Sequence, residues 1–71
     1  NSGDYVICKR AKTAAAGQIV VALIDDETTT LKRFYPEGSR ARLQPANDNY
    51  DPIYSSNCQI QAVAMGILRK L

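Results

Sequence analysis

Lys32 is the residue of this 71-residue chain best suited by type and setting to do chemistry. It stands in Thr28-Thr29-Thr30-Leu31-Lys32-Arg33-Phe34. Period-two alternation sets Thr28, Thr30, Lys32 and Phe34 on one face of a strand, and Thr29, Leu31, Arg33 and Tyr35 on the other. A lysine held against apolar neighbours gives up its proton nearer neutral pH and can then act as a general base. The pattern permits that role without demanding it, because most strand lysines face solvent. Such a base needs a nucleophile, and the chain offers few. Ser2 sits in a Ser-Gly-Asp turn, while Ser39, Ser55 and Ser56 fall in turns or loops, each most simply a turn residue. The sequence has no histidine, which excludes a Ser-His-Asp arrangement and leaves a Ser-Lys pair as the serine option.

The other candidate groups are weaker. Asp25, Asp26 and Glu27 form an acidic cluster, but three consecutive carboxylates at a hairpin tip do not converge on one cation, so a solvated turn is expected. Cys8 and Cys58 lie in separate strands with no C-x-x-C pair, so no zinc site, other metal or cofactor is expected. Both are read as small buried hydrophobes in a reducing cytoplasm. The net charge of +2 is too small to argue for nucleic acid. The basic groups Lys9-Arg10-Lys12, Lys32-Arg33 and Arg69-Lys70 read as solvated strand ends.

Strands must position these residues, since helix signals are poor. Arg10 to Ala16 holds three consecutive alanines but lacks an apolar stripe, and reads as a connection with at most one helical turn. Strands are expected at Tyr5 to Lys9, Gln18 to Ile24, Thr28 to Tyr35 and Arg40 to Gln44, with a brief pairing at Ile53-Tyr54 and a last strand from Gln59 to Leu68. The second strand is apolar at every position after Gln18, which suggests cover on both faces. Asp25-Asp26 makes one turn and Pro36-Glu37-Gly38-Ser39 another. Pro45 to Pro52 is too polar and turn-rich for a central strand. The final strand is apolar on both faces over Val63 to Leu68, with Gly66 marking a bulge or close approach. Such a strand belongs at the sheet centre or at a subunit interface.

A chain of this length is one small domain or a piece of one, marginally stable alone. Its 45% apolar content is that of a globular protein. The longest apolar run, Ile19 to Ile24, is far short of a membrane span, and no segment has the order of a signal peptide. A start at Asn1 without methionine suggests a fragment or processed product.

A succession of segments carries a resemblance over essentially the whole chain. These are Gly3-Asp4-Tyr5-Val6, Gly17-Gln18-Ile19-Val20-Val21-Ala22, and Asp25-Asp26-Glu27 leading to Leu31-Lys32-Arg33-Phe34. Then come Leu43-Gln44-Pro45-Ala46-Asn47, Tyr50-Asp51-Pro52-Ile53 and Met65-Gly66-Ile67-Leu68-Arg69. Their order and spacing resemble the carboxy-terminal domain of the LexA-like, self-cleaving S24 peptidases. The Asp-Asp-Glu turn with the Lys-Arg-Phe strand is closer to cellular repressors than to the related phage repressors and mutagenesis proteins.

The resemblance implies a mainly β fold of small twisted antiparallel sheets forming a partly open barrel. It implies that a serine nucleophile is deprotonated by a lysine on a neighbouring strand, and the position matching that lysine is Lys32. In that family the serine lies shortly before the Gly-Asp motif, so the nucleophile and the cleavage-site loop are expected upstream of Asn1, and Ser2 is not promoted to the role. One residue more than the commoner spacing separates Glu27 from Lys32, so Lys32 stays in register only if the hairpin loop absorbs it. Residues 1–71 would then be the peptidase and dimerisation part of a cytoplasmic repressor of the DNA-damage (SOS) response, inactive alone. The implied partners are a second copy of the chain, the RecA filament that promotes cleavage, and operator DNA bound through an amino-terminal domain. Val63, Met65 and Ile67 of the final strand are the candidates for the subunit interface. Two readings from other classes compete. One is a non-catalytic interaction module; the other is a small β-barrel that binds nucleic acid through Arg40 and Arg42, with Tyr5, Tyr50 and Tyr54 stacking on bases.

Overall fold

The computed structural model describes residues 4–46 and 49–69. The β-branched and apolar runs form six strands: β1 (Asp4–Arg10), β2 (Ile19–Ile24), β3 (Thr28–Glu37), β4 (Arg40–Gln44), β5 (Ile53–Ser55) and β6 (Cys58–Arg69). They make one antiparallel sheet in the order β1-β6-β2-β3-β4-β5. The long last strand lies inside the sheet, paired with β1 along one edge and β2 along the other. Its register slips twice. Opposite Val21/Ala22 the extra residue is Gln61, and opposite Ile7/Cys8 it is Met65, next to the glycine that suggested a bulge.

Chain connectivity forces this sheet to roll up. In the sheet order β5 stands four strands from β6, about 19 Å away were the sheet flat. Only Ser56 and Asn57 join the two strands, and the three Cα steps from Ser55 to Cys58 reach at most about 11 Å. The sheet therefore curls into an open half-barrel whose inner face carries the core: Val20, Ala22, Ile24, Phe34, Ala41, Leu43 and Val63. Ala11, Ala14, Cys58 and Ile60 pack against this cluster. The alanine-rich connection between β1 and β2 is thus an irregular strap over the core, with no helix. Its Ala11 N–H donates to the Gln61 carbonyl and its Gly17 N–H to that of Phe34.

Alternation is cleaner in β2 than its composition suggested. Val20, Ala22 and Ile24 are buried, while Ile19, Val21 and Leu23 are half-buried on the outer face. Cover is complete on one side only, because a single curled sheet has one inside. β3 extends past Tyr35 through Pro36 and Glu37, which pair with Ala41 and Arg40. This leaves a two-residue Gly38-Ser39 loop, with Gly38 at φ 62°, a conformation that glycine adopts without steric cost.

The β2–β3 turn takes more explaining. Asp25 and Asp26 both hold left-handed backbone, at φ 54° and 58°, while the Glu27 N–H donates to the Ile24 carbonyl over 3.0 Å. Asn-Gly is the pair such a turn normally prefers. The carboxylates account for the aspartates: each accepts hydrogen bonds from the β5–β6 corner. Ser55 Oγ donates to Asp25 Oδ1 over 3.0 Å, Asn57 Nδ2 to Asp26 Oδ2 over 3.0 Å, and Gln59 Nε2 to Asp26 Oδ1 over 3.3 Å. The Asp25 N–H also donates to the Asn57 carbonyl over 2.8 Å. The acidic turn is exposed, as expected, and is in addition hydrogen-bonded to the neighbouring β5–β6 corner.

The cysteines depart from expectation. Both are free thiols, but Cys8 is exposed and Cys58 half-buried. Alternation turns Cys8 outward on β1, which is an edge strand, whereas Cys58 pairs with Ile24 on the inner face. Burial pushes the Cys58 thiol up from its ordinary pKa, which lowers the fraction present as the reactive thiolate. Iodoacetamide at about pH 8 is therefore expected to alkylate Cys8 several-fold faster than Cys58. Mass spectrometry of a time course reads this directly, and equal rates would contradict the burial.

Candidate functional site

Lys32 lies on the inner face of β3. Its direct cross-strand partner on β2 is Val20, which is wholly buried. Paired residues share a face, so the pairings Val20 with Val63 and Val63 with Lys9 set out a row across the sheet: Lys9, Val63, Val20, Lys32. Two residues further along β3, Phe34 is buried opposite Leu43. Lys32 is itself half-buried, and its Nζ donates only to the Leu31 carbonyl, at 3.5 Å. Among the described residues no carboxylate lies within ion-pairing distance of it.

Loop length decides which face Lys32 occupies. Ile24 pairs with Thr28, so three residues lie between the last paired positions and Glu27 stands outside the ladder. With a two-residue loop, Ile24 would oppose Glu27, and every β3 side chain would change face. Leu31 and Arg33 would then turn inward and Lys32 outward. The three-residue loop absorbs the additional residue seen in the sequence and keeps Lys32 and Phe34 inside.

The remaining candidates fall elsewhere. Ser2 lies outside the described residues. Ser39 and Ser56 are exposed, whereas Ser55 is buried at the end of β5 and spends its hydroxyl on Asp25 and on the Asn57 N–H, at 3.0 Å each. Ser55 read as a plain turn residue in the sequence, and nothing local distinguished it. The acidic turn does not form a metal cluster: among the described residues no three such ligands come together. Val63 turns inward into the core, Met65 is exposed, and the side chain of Ile67 lies outside the described residues.

On the outer face, Arg40 and Arg42 are already engaged. Arg40 lies 4.1 Å over the Tyr54 ring and Arg42 4.2 Å over the Tyr35 ring. Both pair with Glu37, Arg42 Nε at 2.7 Å and Arg40 Nη2 at 3.5 Å. Cation–π contacts of this kind contribute about 0.5–1 kcal/mol at exposed sites. The Arg40 contact also occupies one face of Tyr54, one of the three rings expected to stack on bases. A titration with single-stranded DNA at low salt is expected to show no binding; salt-dependent binding would return these arginines to a nucleic-acid surface.

With this geometry established, comparison with known proteins is informative. Residues 1–65 match the family described as Peptidase S24-like. The chain is 46% identical over its full length to the LexA repressor of Myxococcus xanthus, covering 34% of that protein. It is 49% identical to the LexA repressor of Koribacter versatilis over 96% of the chain and 33% of the relative. For the LexA repressor of Bacillus subtilis the figures are 46% identity, 93% of the chain and 32% of the relative. The chain thus spans about a third of the length of these curated relatives. An all-β sheet with its lysine on the inner face, matched over so much of its length, belongs to the S24-like peptidase family.

Proposed function

We propose that residues 1–71 are the carboxy-terminal, peptidase and dimerisation part of a LexA-like repressor of the DNA-damage response. The parent cleaves itself with a serine–lysine pair in which Lys32 is the general base. One observation carries this reading: Lys32 stands at the family's Leu-Lys-Arg-Phe motif, half-buried against Val20 on the inner face. Serine is a poor nucleophile at its own pKa and needs an adjacent base. The nucleophile and the cleavage-site loop belong to the parent's segment upstream of Asn1, so residues 1–71 alone are inactive. The parent works in the cytoplasm, binds operator DNA through an amino-terminal domain, and is prompted to cleave by the RecA filament. Two copies associate through the final strand, where Met65 offers an exposed apolar side chain beside Tyr5, Val6 and Ile7 of β1.

The test is self-cleavage of the full-length parent at alkaline pH, with and without Lys32→Ala. Normal cleavage by the substituted parent would remove the assignment. The exposed apolar edge also favours a second reading, an interaction module without catalysis. The parent's residues before Asn1 separate the two: a serine at the family position supports the peptidase, and its absence leaves the interaction module.

A further inference from the structure

We propose that Asp25 and Ser55 are positioning residues for Lys32, forming a clasp between the β2–β3 tip and the β5–β6 corner that holds the β2–β3 hairpin in the register that keeps the lysine inside. The role rests on the Ser–Lys reading above, but the contacts that carry it are independent of that reading. Ser55 is the buried polar residue among those described, at 5% exposure. Its hydroxyl is fully used, donating to Asp25 Oδ1 and accepting from the Asn57 N–H. Asp25 returns its own N–H to the Asn57 carbonyl, while Asp26 takes the amides of Asn57 and Gln59. Two turns separated by some thirty positions in sequence are thereby joined by hydrogen bonds with every buried side-chain partner satisfied among the described residues.

The side-chain contacts made at the tip support a clasp. Both aspartates hold left-handed backbone, which aspartate, like asparagine, tolerates better than most L-residues. Asn-Gly would suit the same backbone better. The chain instead keeps carboxylates at both positions: Asp25 reaches Ser55 at the end of β5, and Asp26 reaches the adjoining start of β6. The consequence reaches Lys32 through the backbone. The tied tip leaves Glu27 outside the ladder, and that odd loop aligns Lys32 with Val20. Phe34 burial favours the same register from the far end of β3. Releasing the tip frees the two-residue loop that carries Lys32 toward the outer face.

The experiment compares self-cleavage of the full-length parent with Asp25→Gly, Asp25→Asn, Ser55→Ala and the Asp25→Gly/Ser55→Ala double substitution, alongside Lys32→Ala. Asp25→Gly relaxes the left-handed backbone at an exposed turn while deleting the acceptor, so the hairpin still folds; thermal melting verifies this for each variant. Asp25→Asn keeps an acceptor oxygen and tolerates the backbone. The expected result is a loss of about tenfold in rate for Asp25→Gly and for Ser55→Ala, the order set by one hydrogen bond to a carboxylate. The double substitution is expected to lose no more than either single one, and Asp25→Asn to stay within about twofold of the original. A folded Asp25→Gly parent that cleaves at the original rate overturns the clasp, as do single effects that multiply in the double. An Asp25→Asn loss as deep as Asp25→Gly also overturns it. If Lys32→Ala cleaves normally, the Ser–Lys reading itself fails and the positioning role falls with it. Loss of cleavage in Lys32→Ala with an unchanged Asp25→Gly rejects the clasp alone.

Discussion

Replacement of Lys32 by alanine in the full-length parent is expected to slow self-cleavage by about 10²–10⁴-fold, the contribution of a positioned general base. The size follows from the setting of the side chain. Lys32 faces Val20, which has no exposed surface, and shares its face with the buried Phe34. No carboxylate among the described residues offsets its charge. Removing the amine leaves an apolar shelf with nothing to take a serine proton. Lys32→Arg is the sharper variant, because it preserves the positive charge and much of the length. A guanidinium does not deprotonate in proteins, so this substitution is expected to be as inactive as alanine. A Lys32→Arg parent that cleaves well would mean that charge, not basicity, is what the site uses.

The pH dependence has a definite sign under the same mechanism. A lysine base works only after losing its proton, so the protonated, low-pH form is idle and the rate rises as pH increases. Single-turnover self-cleavage followed from neutral to alkaline pH reads this directly. A flat profile would count against Lys32 as the base, whatever the alanine variant does.

Leu43→Ala is expected to have the largest effect on stability, a loss of about 2–5 kcal/mol. Leu43 has no exposed surface and sits in β4 between two strands, paired with Phe34 on one side and Ile53 on the other. The core consists of Leu43 and six other buried apolar residues, four of them the small Val20, Ala22, Ala41 and Val63, so few neighbours are large enough to fill the cavity. Ordinary domains have about 0.05–0.15 kcal/mol of stability per residue, or roughly 4–11 kcal/mol for a chain of this length. One substitution therefore removes a large share of the total. Urea denaturation of Leu43→Ala against Leu31→Ala measures it, because Leu31 lies on the outer face with 43% of its surface exposed. Equal shifts for the two would show that the inner face is not the packed one.

Strand positions were legible because they depend on near neighbours. The β-branched threonines 28–30, the apolar run of Ile19 to Ile24 and the glycine of the Gly38-Ser39 loop each select local backbone whatever lies across from them. Lys32 was legible as a candidate for the same reason, since alternation alone set it beside Phe34. The reading of Cys8 as buried failed because burial belongs to a strand's place in the sheet, and β1 is an edge strand.

The amino-acid sequence by itself determined which segments extend, where the chain turns, which family the chain resembles and which lysine has the right neighbours. Tertiary structure decided that β6 is central, that the sheet curls, and that Asp25 reaches Ser55. It also decided that Lys32 points inward, through a loop one residue longer than the tightest hairpin. Backbone hydrogen bonds form equally well in either register. The choice between registers lies in which side chains the curl can bury, and in the contacts made between turns far apart along the chain.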